Sequence, residues 1–155
     1  MMQFEHSSWI AAPVETVFNF HRRRDAIELL MPPDQKVEVV SREGGLEEGA
    51  RVEFRIPIGP FRIRWVAHHI AYEEGRLFID EQREGPFAAW VHAHQFKGEN
   101  DGTRLTDSIE MALPGGPVVE ALAGWAVKRK LRKMFEYRHE VTRRMCEANG
   151  GDPVC

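Results

Sequence analysis

Between Gln35 and Leu113 the chain holds six consecutive segments in which apolar residues tend to recur at every second position, each closed by a turn bearing glycine or proline. Val37, Val39 and Ser41 begin the first, and Val52, Phe54 and Ile56 mark the second. A long third runs from Phe61 to Tyr72, a fourth from Arg76 to Arg83, a fifth through Trp90, and a sixth from Thr103 to Leu113. Period-two runs joined by such short turns fold as an antiparallel meander. Phe4, His6, Ser8 and Ile10 alternate in the same way and predict one further strand at the start. Two short helices follow it. Pro13 opens the first, with Val14, Val17 and Phe18 at helical spacing, and Asp25 is placed to cap the second before Pro32-Pro33. The segment from Val118 to about Ala148 reads as one helix of ~45 Å, with an apolar stripe drawn through Val119, Leu122, Ala126, Leu131, Met134, Val141 and Met145. Gly150-Gly151 is expected to end it.

The fifth strand is the least ordinary. Side chains alternate along a strand, so Trp90, His92, His94 and Phe96 share one face. A sheet needs no imidazole between two core aromatics in order to fold, so polar chemistry is expected inside this protein. The neighbouring strand carries Asp107 on the face of Leu105, Ile109 and Met111, and a short turn joins the two strands, which should therefore pair. On the long helix, Arg138 falls within the apolar stripe, where a guanidinium must find a partner. Asp80, Asp107 or Glu110 would serve, as would a ligand carboxylate or phenolate held bidentately. His139, one position on, projects about 100° away and is read as exposed.

Length and composition narrow the function. A chain of 155 residues suits one domain, expected over 1–149 with 150–155 as a flexible tail. Its formal net charge of -3 gives no global field for nucleic acid, and no apolar run approaches a membrane span. The basic run Lys128 to Lys133 lacks interleaved aromatics and reads as a solvated helix face. The first residues lack the layout of a signal peptide, which makes cytoplasmic residence the expectation. The two cysteines, Cys146 and Cys155, are too close to the C-terminus to form a disulfide framework. No phosphate loop, nucleophile elbow or dinucleotide fingerprint is present.

The order of one strand, two short helices, six strands and a long final helix resembles the START-like superfamily, also called SRPBCC, with its helix-grip fold. Ile10-Ala11-Ala12-Pro13-Val14-Glu15-Thr16-Val17-Phe18 and the terminal helix carry that resemblance. Phe78-Ile79-Asp80-Glu81-Gln82, Trp90-Val91-His92-Ala93-His94 and Met134-Phe135-Glu136-Tyr137-Arg138-His139 are similar to a bacterial cyclase/dehydrase-like subgroup. The resemblance implies an α+β fold in which a curved antiparallel sheet of about seven strands wraps the long helix around a cavity for a hydrophobic ligand.

Two functions follow as expectations. In the first, the protein binds or carries a small hydrophobic or amphipathic molecule, of aromatic or polyketide-like type. Trp65, Phe78, Trp90 and Phe135 would supply walls, and His68, Asp80, His92, His94, Asp107 and Arg138 the polar contacts. In the second, it is a cofactor-independent cyclase or dehydratase in which His92 or His94 moves a proton, Asp107 orients it and Arg138 stabilises an enolate. Whether anything is catalysed stays open, with the weight against an enzyme. A third reading, a subunit that uses an exposed sheet face, needs no cavity. His-x-His spacing also occurs in zinc, iron and copper sites, but no metal or cofactor is expected here. Monomer and homodimer are both left open.

Overall fold

The computed structural model describes residues 1–148. The tail at 150–155, the boundary at 149, Gly150-Gly151 and Cys155 lie outside the described residues. Strand β1 (Met2–Ile10) is followed by helices α1 (Val14–Arg22) and α2 (Ala26–Leu29). Six strands then run in sequence, β2 (Glu38–Glu43), β3 (Arg51–Ile58), β4 (Phe61–Glu73), β5 (Leu77–Glu84), β6 (Ala89–Glu99) and β7 (Gly102–Ala112). Helix α3 (Gly116–Ala148) closes the described chain. The strands form one antiparallel sheet in the order β1-β7-β6-β5-β4-β3-β2. The six-strand meander therefore stays in chain order, and the first strand returns to close beside the last.

Pro13 occupies the position just before α1, with its fixed φ at -59°. Asp25 stands at the start of α2 but does not cap it; its carboxylate instead takes Arg23 Nε and Nη2, both at 2.8 Å. One face of the sheet is apolar and packs under the helices. Ile10, Val17, Phe18, Phe20, Phe78, Phe96, Leu105 and Val141 form one cluster, and Met2, Phe4, Trp90, Ile109, Met111, Leu131 and Phe135 a second. Between the two clusters lies the polar row described below.

Helix α3 is rotated relative to the expected stripe. Leu122 is 74% exposed and Trp125 66%, and Ala126 also faces outward. The face against the sheet runs instead through Val119, Ala123, Val127, Leu131, Phe135, His139, Thr142 and Cys146. That line steps by four residues from Val119 to His139, drifting about 40° at each step, so the sheet-facing side winds around the helix from one end to the other. Gly124 allows the approach, with Met2 Sδ at 2.9 Å from where a side chain would begin. No helix among the described residues is long and apolar enough to cross a membrane.

Candidate functional site

Register brings the polar residues together in two rows across the inner face. His6 pairs with Asp107, Asp107 with His94, His94 with Phe78, and Phe78 with Tyr72. One step along the strands, Phe4 pairs with Ile109, Ile109 with His92, His92 with Asp80, and Asp80 with His69. Each strand contributes alternate residues, so the expected face of β6 is the interior one. Trp90, His92 and Phe96 are all buried.

Asp107 is the hub. Its Oδ1 lies 2.8 Å from His92 Nε2 and 2.9 Å from His94 Nδ1, and its Oδ2 accepts from His139 Nε2 at 2.6 Å. A carboxylate only accepts, so all three imidazoles present an N–H to it. His94 also donates from Nε2 to Asp80 Oδ2 at 3.2 Å. With a carboxylate facing each ring nitrogen, His94 is an imidazolium. Burial works against that charge, but the charge of Asp107 and the hydrogen bonds to Asp107 and Asp80 outweigh it and raise the pKa to about 9. Burial would likewise raise Asp107; the charge on His94 and hydrogen bonds from His139, His92 and His94 hold it well below its usual range. Asp80 is lowered for similar reasons, with burial opposed by its hydrogen bond from His94 and by nearby imidazoles. His92 goes the other way: burial, then the charge on His94, keep it neutral more strongly than Asp107 protonates it. The ring stack adds to the charge balance, since Phe78 lies 4.0 Å from the His94 ring at 17°.

His139, read from the sequence as exposed, is 2% exposed. It sits on the sheet-facing line of α3, with the Ser8 hydroxyl donating to its Nδ1 at 2.7 Å and His6 in edge contact at 4.5 Å. Ser8 and His6 come from β1, so the network ties together the first strand, the last strand and the final helix. Ser8 and His139 carry the signal that would have found them. Ser8 alternates with Phe4 and His6, and His139 lies four residues beyond Phe135.

His68 is also corrected. It pairs with Arg51 and Glu81 on the opposite face of the sheet, because it is one residue out of phase with Trp65, which packs on Trp90 at 5.1 Å. The inward residue is His69, whose Nδ1 donates to Leu46 O at 2.8 Å and whose ring stacks over Phe78 at 5.8 Å. A bulge at Ile70 then restores Tyr72 to the interior. Trp125, unlike Trp65 and Trp90, lies on the outside of the molecule.

Arg138 makes none of the hydrogen bonds expected of it. Its guanidinium lies 5.1 Å over the Phe135 ring, and its Nε is buried with no acceptor among the described residues. Burial lowers its pKa, while Asp107 and Asp80 act at longer range to support the charge. Two carboxylates and two cations thus balance in this interior. Asp80, His92 and His94 bring donor atoms within 4.8 Å of one another and are the residues that could hold a metal ion. In the geometry present, the proton of His94 supplies the positive charge between Asp80 and Asp107. Asp80 and His94 keep 15% and 14% of their side-chain exposure, so the cluster has an edge that solvent reaches. Two clefts lie elsewhere. One of about 500 Å³ is lined by Arg24, Asp25, Glu28 and residues 39–42, and one of about 250 Å³ by Met2, Glu120, Gly124, Trp125 and Lys128.

Comparison with known proteins places this geometry in a family. Residues 10–136 match the family described as polyketide cyclase / dehydrase and lipid transport, and the chain belongs to it. No curated protein matches it in sequence. Among solved structures, it is similar to TTHA0849 from Thermus thermophilus, with 19% identity, a TM-score of 0.73, and coverage of 95% of this chain and 98% of that one. The di-domain ARO/CYC StfQ from the steffimycin biosynthetic pathway shares the fold at a TM-score of 0.76 and 12% identity, over 96% of this chain and 51% of that one. A nucleoside-diphosphate sugar epimerase from Corynebacterium glutamicum is 27% identical over 93% of this chain but only 28% of its own, with a TM-score of 0.67. The fold is thus the helix-grip fold of START-like proteins, of hydrophobic-ligand-binding or cyclase/dehydrase type.

Proposed function

We propose that the protein binds a small amphipathic molecule with an apolar, flat body and one anionic or enolic oxygen. The observation that carries this reading is Arg138: a half-buried guanidinium lying on an aromatic ring, with a buried donor that has no acceptor. A buried donor left unmade costs about 1–3 kcal/mol, and a ligand oxygen would recover it. Phe135, Phe78, Trp65 and Trp90 offer the apolar contacts. The partly exposed edge at Asp80 and His94 gives the polar end its approach. Family membership agrees with small hydrophobic ligands in general terms.

The test uses 1-anilinonaphthalene-8-sulfonate, an apolar ring system with one anionic end. Saturable fluorescence enhancement is expected, weakened about tenfold to a hundredfold by Arg138→Gln, the loss of one charge-assisted contact. Equal binding by wild type and variant would sink the reading. Native mass spectrometry of the purified protein should then show a co-purified organic molecule.

A cyclase/dehydrase reading rests on a different observation. His92 is neutral and held by Asp107 at 2.8 Å, which leaves its Nδ1 lone pair as a base oriented by a carboxylate. Under that reading His92→Ala abolishes turnover while ligand affinity persists. Under the carrier reading no ligand leaves chemically altered.

A further inference from the structure

The outward face of α3 is not that of an ordinary solvated helix. Val118, Leu122 and Trp125 are 70%, 74% and 66% exposed, and their spacing of four and three places them in one line. The same line continues into Arg129, Arg132 and Lys133, with Lys128 and Lys130 beside it. Among the described residues none of these five cations forms an ion pair. Residues 117–135 contain five cations and one acid, Glu120, and so carry a net +4 in a chain of net -3. Glu120 is itself engaged by the Leu113 N–H at 3.1 Å and the N-terminal ammonium at 3.5 Å. Charge is therefore segregated: this half-helix is strongly positive, and the rest of the molecule carries -7.

We propose that this face docks on an anionic phospholipid bilayer. The apolar line would enter the headgroup boundary, with the Trp125 indole at that level and the cations on lipid phosphates. A further exposed apolar residue, Phe61, stands 68% exposed at the β3–β4 hairpin tip beside Arg62. A second copy of the chain fits this face poorly, since a two-fold contact would set +4 against +4. Nucleic acid would satisfy the cations but has no use for Val118 and Leu122.

The proposal stands apart from the ligand-binding reading, and its test needs no ligand. Wild-type protein is sedimented with vesicles of phosphatidylcholine alone and of phosphatidylcholine mixed with phosphatidylglycerol. Binding to the mixed vesicles is expected, with a blue shift of tryptophan emission and loss of binding at ~1 M salt. Arg129→Gln with Lys133→Gln should weaken it about thirtyfold, at about fivefold per surface cation. Leu122→Ser with Trp125→Ser should weaken it at least about tenfold and abolish the blue shift. Both variants alter exposed positions, and unchanged melting temperatures verify that they fold. Absence of binding to the mixed vesicles overturns the proposal. So does equal binding by the Leu122→Ser, Trp125→Ser variant, which would mark a purely electrostatic surface. A dimer in solution that this variant dissociates would assign the face to a second copy instead.

Discussion

Asp107 holds a negative charge that protein imidazoles satisfy, and its removal should be felt at each of them. Replacing it by Asn leaves the His94 charge with Asp80 alone, so the variant should lose about 3–5 kcal/mol of stability. The His94 ring should then titrate well below about 9, as followed by the NMR shift of its ring protons. An unchanged His94 titration would mean that Asp80 holds the charge by itself. The same residues set a pH optimum of stability. His94 is raised from 6.5 to about 9, so its contribution is complete below pH 6.5 and is lost as the pH rises toward 9. His21, buried with its Nδ1 donating to Val17 O at 2.9 Å, is lowered by burial to about 4. Below pH 6.5 the unfolded chain takes up that proton first, so stability falls again toward pH 4, and His92 acts in the same direction. Asp80 and Asp107 lose their share as the pH drops through and below 3.8. Urea midpoints should therefore peak near pH 6.5, and a profile flat from there to pH 9 would contradict the imidazolium.

At the scale of elements, two glycines should respond in opposite ways. A Cβ at Gly102 would stand 2.4 Å from the Ile10 carbonyl, a backbone atom fixed in the β1–β7 ladder. Gly102→Ala should cost about 2 kcal/mol or more. At Gly124 the obstacle is the mobile end of Met2, and alanine gains up to about 1 kcal/mol of helix propensity. Gly124→Ala should leave the melting temperature level or slightly raised, and a large loss would show that Met2 is locked. These elements also show what the sequence could reveal. Period-two alternation needs no knowledge of partners, so all seven strands and the inward face of β6 were legible, and with them His92, His94 and Asp107. The phase of α3 was not. A helix with apolar residues on both sides, Leu131 inward and Leu122 outward, offers more than one stripe, and the stripe through Leu122 leaves His139 outside. His68 and His69 are adjacent, so only the phase relative to Trp65 separates them, and Ile70 breaks the alternation just beyond.

On the scale of the whole molecule, the sheet has a property that follows from its order alone. Among the described residues strand β1 pairs with β7 alone, Met2 against Met111 and Ile10 against Thr103, so the first strand of the sheet has no partner until the seventh is complete. Such distant pairing lengthens the search for the native state, and folding in the millisecond to second range is expected in stopped-flow experiments. Ser8→Ala, which strips the His139 acceptor of its donor, should cost about 1 kcal/mol. Because it also lies in the closing strand, it should speed unfolding more than it slows folding. Synthesis on the ribosome meets the same constraint. A nascent chain that has emerged only as far as β7 already carries Asp107 with His92 and His94, but lacks the imidazole of His139 that α3 supplies. The polar centre therefore joins β1 and the middle strands β5–β7 to α3, and a chain that stops short of His139 cannot complete it.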